Sequence, residues 1–368
     1  MSSKKIFLVI LILFILTAGS LAVYNFVLKK DGAAPAGRDQ EPEPLNLLTK
    51  QISQEKAFAL THDSGQIIKY YLKQNGHVIG SNEDGSKLMP LSINDLSGLY
   101  KIIWAPDNQK VIGFFNKDGL TQIYFYDHQT KQSTLLNEGI ADIAFSPDSQ
   151  KIAYQYKSAD GQINNISVAD YNGVNWRVLY QTRTDNFNIS WPVPGKIIIY
   201  DKPSGSTPGS AFAIVPSSGD AQKILSDIYG LALKFSPDGK NLIYQETDQN
   251  GKNLKLYASQ PDGSEKTLLP VSTIAEKCVW SADSQNIFCA VPQIISEQEI
   301  WPDDWLQNKI STKDDFYQID IKTKKTTKLV TSTATLSIDG QELLISAKED
   351  YLFFVNKKND LVYSIKLP

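Results

Sequence analysis

The feature that most constrains the fold is a short turn motif that recurs along the chain. Its clearest copy is Phe235-Ser236-Pro237-Asp238-Gly239-Lys240, which is followed by Asn241 and the apolar residues 242–244. The other copies, two of them degenerate, each open with a large apolar residue: Leu60, Trp104, Phe145, Trp191, Trp280 and Ile345. Successive copies lie 44, 41, 46, 44, 45 and 65 residues apart, so five intervals agree and the last is too long by about 20 residues.

Each interval contains strand patterns separated by polar turns. In the fifth unit the predicted strands are Leu231–Phe235, Asn241–Glu246, Lys255–Ser259 and Lys266–Leu269. Pro and Asp-Gly between β-branched and aromatic runs are hairpin signals. A repeat of roughly 40–45 residues with four strands and no helix is typical of a β-propeller blade. We therefore predict an all-β, seven-bladed propeller of four-stranded antiparallel blades, with six blades as the alternative.

The last unit supplies only its second and third strands, Tyr351–Val355 and Leu361–Leu367, before residue 368. The segment 45–51 resembles the outer strands of other units. We expect it to pair with Leu361–Leu367 and close the ring, which would remove exposed sheet edges.

The amino-terminal region differs from the repeats. Residues 6–28 are almost uninterruptedly apolar, and pairs of lysines flank them. That length predicts a transmembrane anchor, with a cleaved signal peptide as the alternative. Residues 1–5 are then a short cytoplasmic tail, 29–44 a linker and 45–368 the propeller. We expect a single-pass protein of the cell membrane, with its N-terminus in the cytoplasm and the propeller outside.

Charge and cysteine content bear on partners and compartment. The net charge is −3, and residues 1–30 contribute four lysines and no acid, so the remainder carries about −7. This excludes the basic footprint that nucleic-acid binding needs. Cys278 and Cys289 fall opposite each other across the hairpin that Trp280 and Ile287 define. They are either disulfide-bonded, which suits an oxidising compartment, or two small buried apolar residues.

Residues that carry chemistry are sparse. The three histidines, His62, His77 and His128, are not at metal-ligand spacing, and the chain has no Gly-x-Ser-x-Gly elbow. Aspartates repeat in the turn motif, where the carboxylate ordinarily accepts local backbone hydrogen bonds. We therefore predict no catalytic residue, no metal and no cofactor. Four other aspartates remain candidates for acid–base groups in the channel: Asp127, Asp170, Asp201 and Asp320.

The long sixth interval contains an insertion at 292–313, between the second and third strands of blade six. Loops of this length in compact domains are usually functional or disordered. This one carries Trp301, Asp303, Asp304 and Trp305. These four residues are either a recognition site for a protein or sugar, or the two tryptophans pack the loop as a lid over the blades.

The Phe-Ser-Pro-Asp-Gly-Lys-x-Leu-Ile-Tyr unit at 235–244 resembles the repeats of TolB-like and WD-type propellers, and the propeller half of dipeptidyl peptidase IV-type proteins. The resemblance covers most of residues 55–368 and implies a propeller with extracytoplasmic, often envelope-linked, roles. It brings no catalytic residue, because the peptidase domain is absent from the sequence. TolB-like proteins carry an α/β domain where this chain has an apolar segment and a linker. The general character of the sequence is typical of a bacterial protein.

Two functions are consistent with these observations. The first is a non-catalytic, membrane-anchored propeller that binds an envelope protein or glycan. The second is an envelope enzyme acting on glycans or peptides at the mouth of the channel, which needs acid–base groups to converge there.

Overall fold

The computed structural model describes residues 48–63 and 65–368. The predicted tail, anchor and linker, together with residues 45–47, lie outside the described residues. Within the described part of the chain, no helix has the length and apolar character needed to cross a membrane.

The described residues form antiparallel sheets, as the repeat predicts. A short strand, β1 (Thr49–Gln51), precedes three complete four-stranded sheets. The first sheet contains β2 (Ala57–His62), β3 (Ile67–Leu72), β4 (Val78–Asn82) and β5 (Leu88–Ser92). The second contains β6 (Leu99–Trp104), β7 (Lys110–Lys117), β8 (Leu120–Asp127) and β9 (Ser133–Leu135). The third contains β10 (Ile140–Phe145), β11 (Lys151–Lys157), β12 (Asn164–Asp170) and β13 (Arg177–Gln181).

The next sheet has seven strands because one long strand serves two repeats. It contains β14 (Asn188–Val193), β15 (Lys196–Tyr200), β16 (Pro208–Ile214), β17 (Ala221–Phe235), β18 (Leu242–Thr247), β19 (Lys255–Ser259) and β20 (Thr267–Leu268). The first part of β17 pairs with β16 and its last part pairs with β18. This strand is therefore the outer strand of the fourth unit and the first strand of the fifth.

The remaining strands form two sheets. The sixth unit contains β21 (Cys278–Trp280), β22 (Asn286–Pro292), β23 (Asp314–Asp320) and β24 (Thr326–Val330). A turn of 3₁₀ helix, Ala275–Lys277, precedes it, and a short helix α1 (Asp303–Leu306) lies in its insertion. The seventh contains β25 (Gly340–Ile345), β26 (Tyr351–Asn356) and β27 (Leu361–Lys366). With β17 counted in both of its repeats, the described strands form seven four-stranded units.

The amino-terminal strand completes the seventh unit. β1 pairs antiparallel with β27, with Thr49 opposite Ile365 and Gln51 opposite Tyr363. Ile52 follows with a 2.8 Å hydrogen bond to the carbonyl oxygen of Val362, and its side chain is buried. The predicted closure by the start of the chain is therefore confirmed for residues 49–51.

The apolar core lies between consecutive units rather than within one sheet. The second and third units share a cluster that includes Phe125 and Ile152, and the third and fourth share one with Ile166 and Ile197. The seventh and first units meet in a cluster that includes Phe353. Each unit therefore buries both faces of its sheet against its neighbours, and the inner strands are left to line a central channel.

The repeated turn owes its form to hydrogen bonds that the motif itself supplies. Ser236 Oγ donates to Asp238 Oδ1 at 2.7 Å, and the Asn241 amide donates to Ser236 Oγ at 3.0 Å. The Ser146 and Ser281 turns repeat this arrangement. These aspartates bind their own turn, so their recurrence reflects local structure.

Candidate functional site

The insertion lies across loops at one end of the sheets. Its Trp301 amide donates to Gly251 O at 2.9 Å, in the loop between β18 and β19. Asp303 Oδ2 accepts from the Gly205 amide at 2.6 Å, in the loop between β15 and β16. The main-chain oxygen of Trp305 accepts from Lys357 Nζ, in the β26–β27 turn. The segment is therefore tied to the fourth, fifth and seventh units.

Both tryptophans of the insertion are interior residues. Trp301 is 1% exposed and packs with Leu254 and Ile274. Trp305 is 5% exposed, and its Nε1 donates to Asp339 Oδ1 at 2.9 Å. The ammonium of Lys357 lies 3.7 Å from the Trp305 ring centroid, which is a cation–π contact.

The two aspartates of the predicted recognition site make local bonds as well. Asp303 holds the Gly205 loop, as described above, and Asp304 Oδ2 accepts from the Ile300 amide at 2.7 Å. Burial of the rings and these bonds favour the interpretation in which the tryptophans pack the insertion onto the propeller. Direct recognition by Trp301, Asp303, Asp304 and Trp305 stays a prediction, and it would require the insertion to open.

A buried ion cluster anchors the insertion. Lys277 is fully buried, and its Nζ donates to Asp314 Oδ2, to Asp339 Oδ1 at 2.7 Å and to Thr312 Oγ1 at 2.8 Å. Burial raises the pKa of Asp314 although Lys277 lies against it. Burial alone would also raise the pKa of Asp339, but Lys277 and the hydrogen bonds from Lys277 and Trp305 lower it to about 2. One lysine therefore holds two carboxylates below the insertion.

The cysteines lie next to this cluster. Cys278 faces Cys289 across β21 and β22, which is the register predicted from the hairpin midpoint. Their sulfur atoms are bonded, and both side chains are fully buried.

The central channel is the other place where polar groups meet. Because neighbouring strands are antiparallel, the loops from second to third strands and the starts of first strands lie at the same end of the sheets. The insertion, Glu276 just before β21 and Lys202 just after β15 therefore share this end. A cavity of about 430 Å³ inside the ring is lined by first-strand residues of the second to fourth units and by Tyr200.

Glu276 has the least satisfied carboxylate at this channel mouth. Its Oε2 is buried and has no hydrogen-bond partner among the described residues. Burial raises the pKa of Glu276, and the nearby Lys234 only partly offsets this. Burial also lowers the pKa of Lys234, whose Nζ donates to the carbonyl oxygens of Glu276 (3.2 Å) and Cys278 (2.6 Å). A neutral carboxyl group at this position can either donate or accept a hydrogen bond.

Tyr200 is close enough to two carboxyl groups to be affected by their charges. Burial raises the pKa of Tyr200, and the charges of Glu276 and Asp142 raise it further. Asp142 pairs with Lys101 Nζ at 3.1 Å and accepts from the Ile189 amide at 2.9 Å. The channel mouth therefore combines carboxyl, phenol and ammonium groups from the second to sixth units.

The four aspartates considered from sequence do not converge. Asp127, Asp170 and Asp320 end third strands in three different units, where each accepts hydrogen bonds from its own hairpin. Asp201 accepts a hydrogen bond from the Ser210 amide at 2.8 Å, and both residues belong to the fourth unit of the ring. Each of these carboxylates is bound within its own unit, so the structure does not bring the four candidates together at the channel mouth.

Sequence reasoning missed the channel residues, although a signal was present. The third residue before the large apolar residue of the turn motif is polar in five of the seven units, although mostly apolar residues follow it. These residues are Lys101, Asp142, Asn188, Lys277 and Glu342. Three of them, Lys101, Asp142 and Asn188, border the 430 Å³ cavity. Glu342 instead caps the Ala59 amide at 2.6 Å, which joins the seventh unit to the first.

Comparisons with known proteins bear on the fold. No family model matches the sequence, and no curated protein matches it significantly. A solved oligogalacturonate lyase in complex with manganese is 11% identical to this chain, with a TM-score of 0.61. The match covers 87% of this chain and 93% of the lyase chain. The tricorn protease is 12% identical and covers 87% of this chain, with a TM-score of 0.56. The fold is that of a β-propeller.

These likenesses concern the fold alone. This propeller spans about a third of the tricorn protease chain, at 34%. TolB from Acinetobacter baumannii is 14% identical over 75% of this chain and 63% of its own, at a TM-score of 0.48. The resemblance to dipeptidyl peptidase IV-type propellers stays a prediction. Among residues 48–63 and 65–368, no group of three or more His, Cys, Asp or Glu side chains is arranged to hold a metal ion.

Proposed function

We propose that the protein is a non-catalytic, membrane-anchored, extracytoplasmic propeller that binds an envelope protein or glycan at the channel mouth beside the insertion. The observation that carries this proposal is the buried, unpartnered Oε2 of Glu276. Leaving such an atom without a hydrogen bond costs roughly 1–3 kcal/mol. A polar group of a bound partner would remove that cost.

The polar groups around Glu276 indicate which chemical groups a partner would present to this site. Glu276 suits a donor such as an amide N–H or a sugar hydroxyl, whereas Lys202 and Tyr200 suit an acceptor oxygen. Part of the Lys202 side chain is exposed to solvent, while neighbouring atoms keep enough water from its ammonium group to lower its pKa. A peptide loop and a glycan segment both present donors and acceptors a few ångströms apart, as this set requires.

The location outside the cytoplasm has support of its own. A buried disulfide, Cys278–Cys289, persists in oxidising compartments. The apolar segment 6–28 has the length of a membrane anchor. Fractionation of cells that express the full chain tests this proposal. We expect the protein in the membrane fraction after a high-salt wash, with the propeller digested by external protease once the outer layers of the envelope are opened.

Site-directed photocrosslinking tests the channel mouth. p-Benzoylphenylalanine would replace Tyr100, which borders the channel and is 51% exposed, or Leu135, which lies on an outer strand and is 50% exposed. In cells that express the full chain, we expect the photocrosslinker at position 100 to give one discrete crosslinked product with the bound partner. Position 135 is the matched control and should give no such product.

A double substitution tests whether the polar groups of the channel mouth contribute to binding. The double substitution Glu276→Gln and Lys202→Met should reduce the product from position 100, because it removes the carboxyl and ammonium groups assigned to the partner while nearly keeping side-chain size. A product that appears only from position 135, or one that this substitution leaves unchanged, would refute binding at the channel.

One observation favours an enzyme as the second candidate. Glu276 has a raised pKa beside Lys234, whose pKa is lowered, and such opposed shifts are found among general acids and bases. The Glu276→Gln substitution alone separates the two functions. An enzyme that loses its general acid turns its substrate over more slowly and stays bound to it longer. Crosslinking of the substrate by the photocrosslinker at position 100 would therefore increase. A binding module would show equal or weaker crosslinking.

A further inference from the structure

A second cavity lies between the first and second units, and its lining contains none of the channel residues Tyr200, Lys202 and Glu276. Its volume is about 280 Å³, and it is lined by residues of the strands β3 to β9 and of the loops that follow β5 and β8. The rings of Tyr71, Phe115, Tyr124, Tyr126 and His128 form much of its wall. Nothing proposed for the channel depends on this cavity.

The aromatic wall is ordered by contacts among its own rings. Phe115 and Tyr124 pack edge to face with centroids 5.5 Å apart. Tyr126 meets His128 in the same way at 4.9 Å, and Trp104 stacks on the other side of the imidazole at 5.2 Å. Rings held in this way keep their shape when the cavity is empty, so a ligand would meet a preformed surface.

The wall carries no charge at neutral pH. Burial, together with the nearby charges of Lys131 and Lys69, lowers the pKa of His128 to about 4. The Tyr71 hydroxyl lies 2.8 Å from His128 Nε2, so the two polar groups satisfy each other. Desolvation would therefore disfavour a charged ligand here, whereas an uncharged one would keep these bonds intact.

A glycine keeps the cavity open. In the cross-strand row Ile102, Gly113, Tyr124 and Leu135, the glycine supplies no side chain beside the Tyr124 ring. A Cβ atom at Gly113 would lie 2.9 Å from the Phe115 ring. The recess therefore exists because residue 113 is glycine, a residue that ordinarily weakens packing inside a strand.

We propose that this cavity binds a small, uncharged, flat aromatic molecule. Aromatic rings recognise each other by edge-to-face and offset contacts, and this wall presents both faces and edges. An apolar cavity of roughly 150 Å³ holds benzene, so 280 Å³ suits a molecule with two fused rings. Apolar surroundings hydrate poorly, and release of that water favours an apolar ligand.

The test uses the neutral naphthalene dye prodan, whose emission increases and shifts to shorter wavelength in apolar surroundings. The protein is the detergent-solubilised full chain. We expect saturable binding by the wild type. Ser133→Trp adds an indole on β9 beside Tyr126 and should weaken prodan binding by roughly tenfold or more, because it occupies the cavity.

Gln132→Trp is the matched control, since it adds the same ring one residue away at an exposed position outside the lining. It should bind prodan like the wild type. Ser92→Trp fills the cavity from the first unit and serves as a second blocking variant. Thermal unfolding of each variant shows that it is folded. Absence of saturable binding by the wild type, or equal binding by the folded Ser133→Trp and Ser92→Trp variants, would overturn the proposal.

Discussion

The indole nitrogen of Trp305 donates a 2.9 Å hydrogen bond to Asp339 Oδ1, the same oxygen that accepts from Lys277 Nζ at 2.7 Å. Trp305 belongs to the insertion of the sixth unit, and Asp339 directly precedes the first strand of the seventh. One carboxylate oxygen therefore joins the insertion to the ion cluster below it. Because Glu276 is the residue before Lys277, the same contact also steadies the channel mouth.

Removing the lysine of this cluster should destabilise the protein strongly. Lys277→Met leaves Asp314 and Asp339 buried without their counter-charge, which costs about 3–5 kcal/mol. Lys309→Met is the control, because Lys309 pairs with Asp304 while 60% exposed, and such pairs contribute about 0–1 kcal/mol. Urea unfolding of both variants measures the difference. Equal losses would show that the cluster is not what holds this region.

Stability should depend on Lys357 in alkaline solution. Burial lowers the pKa of Lys357 from 10.5 to about 8. Between these values the folded chain binds fewer protons than the unfolded chain, so this lysine makes stability rise with pH. The free energy of unfolding of the wild type, minus that of Lys357→Met, should therefore increase from pH 7.5 to pH 10. A difference that stays constant or falls would contradict the lowered pKa.

The disulfide should contribute measurably to stability. Cys278 and Cys289 are 11 residues apart, and closing a loop of this size stabilises by about 3 kcal/mol on the chain-entropy model. The double substitution to Ala should lower the free energy of unfolding by at least that amount, since both side chains are also buried. Thiol titration of the denatured, unreduced wild type should find no free thiol. Two free thiols per chain would rule out the bond.

The closing strand should be needed for folding of the ring. Deletion of residues 44–52 removes β1 and the buried Ile52, and it exposes the edge of β27. We expect a loss of several kcal/mol and a tendency to aggregate, because an unpaired edge strand templates further pairing. Deletion of 32–43, which leaves β1 in place, is the control. A soluble 44–52 deletion that unfolds at the same urea concentration as this control would refute closure by β1.

Much of the fold follows from local sequence. The turn motif at Ser236 contains both the hydroxyl and the carboxylate that its backbone needs, so the turn is predictable without knowledge of the rest of the protein. The pairing of Cys278 with Cys289 follows from counting outward from one hairpin. The long strand β17 was harder to foresee, because its two halves belong to two repeats.

The candidate sites depended on contacts between distant segments. Trp301 and Trp305 have the composition of a recognition loop, and only the positions of Gly251 and Asp339 made them interior residues. In the same way, only the structure shows that Asp127 and Asp320 bind their own hairpins, and Glu276 was not among the residues considered from sequence.

Local patterns in the sequence predict the repeating four-stranded units, their turns and the hairpin that carries the cysteines, because these features rest on alternation and hydrogen bonds between near neighbours. Which polar groups meet depends on the tertiary structure. Tyr200, Lys234 and Glu276 come from the fourth, fifth and sixth units and act on one another only because the ring brings the inner edges of its sheets together. Burial and charge at such a point are sums over several units, and no local pattern contains them.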